Sequence, residues 1–374
     1  MNIIFVGGGT AGHINPAIAI ADYVRKKDPK NNILYVGAKG GMEEKLVPKS
    51  GFKFEGITVS GFSRKISLES LKKNFTTLKN IIISTFESRK ILKDFKPDIC
   101  VGTGGYVCGT FLREASNLKI PFIIHDSNSY PGLTTKLLAK KATKVLIVNE
   151  EAKKHLPKNI DICITGTPVR EKILSIDKQT ARQKLGLNNN PTILSFGGSL
   201  GAATINKVMS EIMIKEKNNQ EFNFIHGYGK KGHSVTENLS KNGIDIKNNP
   251  RYIIREYIDN MDECLAAADL VICRSGATTI SELQASQKPA ILIPSPNVAE
   301  NHQYHNAMAL VNANAASIIE EKNLTADNLH KEIKKVLDKS SKLYEKYSEN
   351  LKKTAITNST ERIYKIINDI LESK

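Results

Sequence analysis

No stretch of this 374-residue chain approaches the roughly 18 continuous apolar residues that a membrane-spanning helix requires. The longest uncharged window, residues 1–21, is broken by four glycines, a proline, a histidine and two asparagines. The apolar opening Met1–Val6 passes straight into Gly7-Gly8-Gly9-Thr10 with neither a basic flank nor a cleavage-like site, and reads as a first strand rather than a signal peptide. Five scattered cysteines form no CxxC pair, which argues against zinc or dithiol chemistry and for buried thiols in a reducing cytoplasm. Asp-x-Asp, HExxH and metal-spaced carboxylate clusters are missing, so neither a metal nor a cofactor is expected. RNP aromatics, a helix-turn-helix pattern and an arginine-rich segment are missing too, which excludes nucleic acid as the expected partner. No repeat of solenoid length stands out.

The length exceeds what a single core usually organises and predicts two domains. Apolar runs alternate with longer helical patterns, as in repeated βαβ units with parallel sheets, giving an α/β class. One series of strands reads at 3–6, 33–36, 99–102, 122–125, 145–148 and 162–165. A second reads at 192–196, 222–226, 252–254, 270–273 and 290–294. The boundary is expected at 165/166, with the second domain running to 345 and an amphipathic helical segment over 346–374. Net charge is +16 and unevenly spread: residues 1–165 carry 26 Lys+Arg against 14 Asp+Glu, a balance of +12, whereas 166–374 carry 28 against 24, or +4. The first half is expected to meet an anionic surface.

Each half starts with a strand that enters glycines and then a helix, at Gly7-Gly8-Gly9-Thr10-Ala11-Gly12-His13 and at Gly197-Gly198-Ser199-Leu200-Gly201-Ala202. Such turns bring backbone N–H groups close to a ligand, and the helix behind favours negative charge. Gly7, Gly9 and Gly12 satisfy GxGxxG, yet the second strand ends Val36-Gly37-Ala38-Lys39 without the acid that binds the ribose of NAD. A third segment, Cys273-Arg274-Ser275-Gly276-Ala277-Thr278-Thr279-Ile280-Ser281-Glu282, offers N–H groups and hydroxyls suited to a diphosphate, and a carboxylate one turn on suited to a ribose. The plain alternative makes Ser275 an N-cap and Glu282 a solvated helix residue. The loop 294–306 is rich in polar groups able to read sugar hydroxyls.

These segments, together with Gly102-Thr103-Gly104-Gly105-Tyr106, His125-Asp126-Ser127-Asn128 and Gly166-Thr167-Pro168-Val169-Arg170, resemble the MurG family of N-acetylglucosaminyltransferases in family order over residues 3 to about 320. The resemblance implies a GT-B fold, two Rossmann-like domains facing a cleft, with the acceptor on the first and UDP-GlcNAc on the second. It further implies an inverting transfer to lipid I, the undecaprenyl-pyrophosphoryl-MurNAc-pentapeptide, to give lipid II. Thr10, Ala11, Gly12, Asn128 and Arg170 would face the donor, and Gly104, Gly105 and Tyr106 the acceptor side. Ser199 would approach the diphosphate, the Ile258 backbone the uracil, Ala277, Thr278, Thr279, Ile280 and Ser281 the phosphates, Glu282 the ribose, and His302 and Gln303 the GlcNAc hydroxyls. Where the family often has Gln and Asn, this chain has Leu200 and Thr167.

His13 is the candidate base and Asp126 the reserve. The competing readings are a glycolipid-forming relative acting on diacylglycerol and a non-catalytic nucleotide-sugar-binding module. Residues 62–96 interleave apolar residues with Arg64, Lys65, Lys72, Lys73, Lys79, Arg89, Lys90, Lys93 and Lys96, which predicts peripheral docking on the anionic cytoplasmic face of the cell membrane. The plain alternative is a solvated helix covering the core.

Overall fold

The computed structural model describes residues 1–59, 68–169 and 172–373 and divides them into two compact units, Met1–Val169 with Thr357–Lys374, and Arg170–Ile356. In the first unit β1 (Asn2–Val6), β2 (Asn32–Ala38), β3 (Lys53–Ile57), β4 (Ile99–Gly102), β5 (Phe122–Asp126), β6 (Lys144–Ile147) and β7 (Ile162–Ile164) form one sheet in the order β3-β2-β1-β4-β5-β6-β7. Every pairing is parallel, with Ile4 opposite Leu34 on one side and Cys100 on the other. Helices cover both faces of such a sheet, which is why its inner strands are continuously apolar rather than alternating. Ile4, Val6, Cys100, Ile124 and Val145 belong to one core, and Ile3, Phe5, Val101, Ile123 and Leu146 to the other. That division is the two-residue period of a strand.

The second unit repeats the plan with β8 (Thr192–Phe196), β9 (Asn223–Gly227), β10 (Tyr252–Arg255), β11 (Leu270–Cys273), β12 (Ala290–Leu292) and β13 (Ser317–Ile318) in the order β10-β9-β8-β11-β12-β13, again all parallel. In each sheet the strand order reverses once, between β1 and β4 in the first and between β8 and β11 in the second. The crevice beyond the carboxyl ends of the strands at such a reversal is where open α/β sheets bind ligands.

The chain re-enters the first unit at Thr357, later than the 346 expected. The intervening helix Leu343–Thr354 buries Tyr347 and Leu351 in the two cores of the second unit, and Gln284 Nε2 donates to Thr354 O at 3.0 Å. Only Ser359–Glu372 joins the first unit. Its Ile363 and Ile367 are fully buried, Tyr364 meets Tyr23 edge-on at 5.8 Å, and Ser359 Oγ donates to Gly166 O at 3.1 Å. Burying those two isoleucines contributes about 1.5–3 kcal/mol each. Among the described residues, no helix is long and apolar enough to cross a membrane.

Candidate functional site

In the first unit the loop 7–10 leaves β1, and the helix Ala11–Lys27 begins directly behind it. The loop 103–105 leaves the adjacent β4 and opens the helix Tyr106–Asn117. The two loops are stitched together. Gly8 N donates to Gly104 O at 3.3 Å, Thr103 N to Val6 O at 2.9 Å and Thr103 Oγ1 to His13 O at 2.7 Å. His13 Nδ1 lies 3.0 Å from Thr103 O. A carbonyl only accepts, so this contact puts the imidazole proton on Nδ1 and the lone pair of the neutral ring on Nε2. Gly104, at φ +113°, has no Cβ to collide with that ring. Thr10, Ala11, Gly12, His13, Gly104, Gly105 and Tyr106 therefore gather at the strand-order reversal, with Thr10, Ala11 and Tyr106 exposed.

Asp126 ends β5, the next strand, and is engaged differently. Its carboxylate accepts from Asn128 N at 3.0 Å, Asn128 Nδ2 at 3.1 Å, Gly132 N at 2.9 Å and Thr135 Oγ1 at 2.6 Å. Four donors fill the roughly four lone-pair positions a carboxylate offers. Asp126 is thereby the clamp that folds the loop carrying Asn128. His125 beside it is buried, and burial lowers its pKa. Its Nε2 donates to Gly166 O at 2.8 Å.

The acid missing from the end of β2 proves to lie five residues beyond Ala38. Glu43 folds back so that one carboxylate oxygen accepts Ala38 N–H at 2.9 Å and the other Gly9 N–H at 3.2 Å. It is wholly buried, and a Cβ at Gly8 or Gly37 would collide with it. Sequence reasoning passed over this residue, although the glycines at 37, 40 and 41 mark a chain making room for something.

In the second unit the loop 197–202 leaves β8 and opens the helix Ala203–Lys215. Ser199 and Leu200 are exposed at its tip, and a backbone ladder from the loop after β9 braces it, Lys230 N donating to Ser199 O and Lys231 N to Leu200 O, both at 3.2 Å. Across the strand-order reversal, β11 leads through Arg274 to Gly276 into the helix Ala277–Ser286. The N-cap is Gly276 and not Ser275, whose Oγ instead donates to Gln303 O at 2.8 Å. Ala277, Thr278 and Thr279 head the helix, where backbone N–H groups have no intrahelical partner. Among the described residues the buried hydroxyls of Thr278 and Ser281 have no hydrogen-bond partner. Ile258 and Ile280 point their side chains into the core, so only their backbones can serve a ligand.

Arg274 ties this end of the unit together. It pairs with Glu321 at 2.5 Å and donates to Ile293 O at 3.2 Å and Pro294 O at 3.1 Å, while Thr204 Oγ1 donates to Glu321 at 2.7 Å. Burial opposes ionisation of Glu321, but the Arg274 and Thr204 bonds outweigh it and hold its pKa below the ordinary value. Gln303 Oε1 accepts Ser295 N–H at 2.9 Å, which orients its amide within the sugar-reading loop, and His302 precedes it at the head of the helix His302–Asn312. Ser199, Ala277 to Glu282, His302 and Gln303 thus all lie on loops and helix starts at the carboxyl ends of β8, β11 and β12. Arg170 falls outside the described residues, as does the start of the basic segment at 60–67.

Comparison with known proteins draws on the whole chain. Residues 3–147 match the glycosyltransferase family 28 N-terminal domain and residues 192–366 the family 28 C-terminal domain. The UDP-N-acetylglucosamine--N-acetylmuramyl-(pentapeptide) pyrophosphoryl-undecaprenol N-acetylglucosamine transferase of Acetivibrio thermocellus is 44% identical over 375 residues, covering 100% of this chain and 99% of that one. The like-named protein of Thermoanaerobacter sp. is 42% identical, covering 99% of this chain and 100% of its own. The chain belongs to the MurG family. The crystal structure of Acinetobacter baumannii MurG superposes with a TM-score of 0.74 at 23% identity, over 98% of this chain and 99% of that one, which shows the GT-B fold. Of the two departures from the MurG pattern, Leu200 is 58% exposed, so it replaces a polar group without a core consequence, whereas Thr167 is buried.

Proposed function

We propose that this chain transfers N-acetylglucosamine from UDP-GlcNAc to the C4 hydroxyl of MurNAc in lipid I, forming lipid II for peptidoglycan. The observation that carries this reading is the 44% identity, from end to end, with a transferase named for that reaction. The second unit holds the donor. The N–H groups heading Ala203–Lys215 and Ala277–Ser286, with Ser199 and the buried hydroxyls of Thr278 and Ser281, offer the diphosphate hydrogen bonds and two helix N-termini. Glu282 takes the ribose hydroxyls, the Ile258 backbone the uracil, and His302 and Gln303 the sugar. Asn128 and Arg170 complete the donor contacts.

The first unit supplies the acceptor side through Gly104, Gly105 and Tyr106. His13 Nε2 takes the proton from the C4 hydroxyl as its oxygen bonds to the anomeric carbon, and the bond from that carbon to the β-phosphate oxygen breaks with its electron pair leaving on UDP. Attack opposite the leaving group inverts the anomeric centre. Asp126, already saturated with donors, holds the loop of Asn128 rather than the proton. Among the described residues no cluster of three His, Cys, Asp or Glu side chains is placed to hold a metal ion. The backbone and side chains carry the leaving-group charge instead.

The enzyme works at the cytoplasmic face of the membrane, where its lipid-linked acceptor lies, docked through the Leu68–Phe95 helix of the first unit. The test is transfer of labelled GlcNAc to lipid I with EDTA present, with UDP-glucose and diacylglycerol as controls. Formation of lipid II is expected under chelation. Transfer to diacylglycerol alone, UDP-GlcNAc binding without turnover, or activity that EDTA abolishes and magnesium restores would each overturn part of the reading.

A further inference from the structure

Glu43 does something the transfer reaction does not call for. It begins the helix Glu43–Lys49 immediately after β2, is wholly inaccessible, and bonds through both carboxylate oxygens to backbone N–H groups of two different loops, at Gly9 and at Ala38. Gly8, Gly37 and Gly41 surround it so closely that none could carry a Cβ without moving it. A glycine loop opening a helix at a strand-order reversal is the ordinary seat of a phosphate, and in dinucleotide-binding sheets a pyrophosphate sits there. In the first unit a side-chain carboxylate already bonds to that loop, and its charge opposes a second anion.

We propose that Glu43 is the resident anion of the first glycine loop and a specificity-determining residue, denying a diphosphate to the first unit so that the nucleotide-sugar is taken by the second. The proposal rests on the reading that the second unit holds the donor. Thr10, Ala11 and Gly12 then present the loop's outer surface to a sugar, while its inner N–H groups are satisfied from within. Neutralising Glu43 turns the loop into an anion site.

The test is titration of the full-length protein with inorganic pyrophosphate and with UDP, for wild type, Glu43→Gln, Glu43→Ala, Glu282→Ala and the Glu43→Ala/Glu282→Ala pair. Wild type is expected to show one class of site for each ligand. Glu43→Ala is expected to gain a second pyrophosphate site that persists in the double variant, with a smaller gain in Glu43→Gln, which keeps one acceptor oxygen. Anything that binds the folded state raises its melting temperature. Pyrophosphate or acetate should therefore raise the Tm of Glu43→Ala by more than that of wild type, a readout that survives a loss of basal stability. Pyrophosphate stoichiometry unchanged in both Glu43 variants, with no extra anion-dependent rise in Tm, overturns the proposal. Unchanged UDP affinity in Glu282→Ala would instead overturn the donor assignment, and leaves the second pyrophosphate site of Glu43→Ala to be judged separately.

Discussion

The glycine loop after β1 and the glycine loop after β8 occupy the same position in two sheets of the same plan, each beside the strand-order reversal and each opening a helix. The first closes over a carboxylate, Glu43, and lies against the ring of His13 through its neighbour loop at Thr103 and Gly104. The second is braced by backbone bonds to Lys230 and Lys231, whose side chains are exposed. One motif has therefore been turned to two uses by what packs behind it. A negative charge and a base suit an acceptor hydroxyl, and cations with N–H groups suit a diphosphate. The glycines set the shape, and residues distant in sequence set the sign.

The sharpest way to break this comparison is to remove the group that makes the first loop chemical. His13→Ala is expected to lower kcat by roughly 10²- to 10⁴-fold, the usual worth of a general base, with UDP affinity unchanged. Asp126→Asn should instead lower Tm, because it disturbs four hydrogen bonds that hold one loop. A kcat loss in Asp126→Asn as large as that of His13→Ala, at unchanged Tm, would transfer the base to Asp126.

A second test asks whether the two sheets share a weakness. Each buries a neutral histidine, His125 in β5 and His226 in β9, and burial lowers both pKa values, that of His226 to about 4. Between the unfolded value near 6.5 and the folded value, the unfolded chain binds protons that the folded one does not, so stability rises with pH in that window. The contribution of His226 is complete above pH 6.5 and is lost as pH falls towards 4, up to about 3 kcal/mol. Urea midpoints measured from pH 7 to pH 4 should fall less steeply for His226→Gln than for wild type. Parallel slopes would show that His226 does not control acid stability.

The third test addresses the donor side. Glu282→Ala should weaken UDP binding by about 1.5–3 kcal/mol, the worth of a hydrogen bond to a charged group, and leave the fold unaltered. Calorimetry that finds equal affinity removes Glu282 from the ribose.

How much of this was legible in the sequence varies with the range of the interaction. The inner strands announce themselves because a sheet covered on both faces needs continuous apolar runs, as at Ile3–Val6 and Leu270–Cys273. The edge strands do not. β3 exposes Lys53 and Glu55, and β13 spans two residues, so neither shows a run to detect. The glycine loops were readable because glycine in such turns has a local cause. Glu43 was not, because its partners are backbone groups at Ala38 and, 34 residues back, Gly9, and no side-chain pattern records them. The same blindness moved the expected return of the chain from Thr357 to 346, since Tyr347 and Leu351 look like any amphipathic helix until their cores are seen.

The smallest expected effect concerns the surface of the first unit and sharpens the contrast in charge between the halves, +12 against +4. Within the helix Leu68–Phe95, Thr77, Ser84, Ser88, Ile91 and Leu92 are buried, so this stretch does cover the core. Yet Lys79, Ile82, Phe86, Lys90 and Lys93 are all exposed, at intervals of three or four residues that place them on one stripe, with Phe86 70% exposed. A second helix, Leu133–Leu138, exposes Leu133 and Leu137 beside the exposed Lys140 and Lys141, an extension that sequence reading did not include. Both helices pack against Tyr106–Asn117, which carries the exposed Tyr106 of the acceptor side. Apolar side chains flanked by lysines can seat in the headgroup region, each cation adding about 1 kcal/mol against an anionic leaflet. Flotation with anionic vesicles at low salt should therefore lose binding stepwise, modestly for Lys79→Glu and further for Lys79→Glu with Phe86→Glu, while UDP affinity holds in both. Because screening weakens the lysine contribution but not the burial of Phe86, added salt should narrow the gap between wild type and Lys79→Glu and leave the Phe86→Glu deficit in place. Equal flotation of all three proteins, with circular dichroism unchanged, would take this stripe off the membrane and return it to solvent.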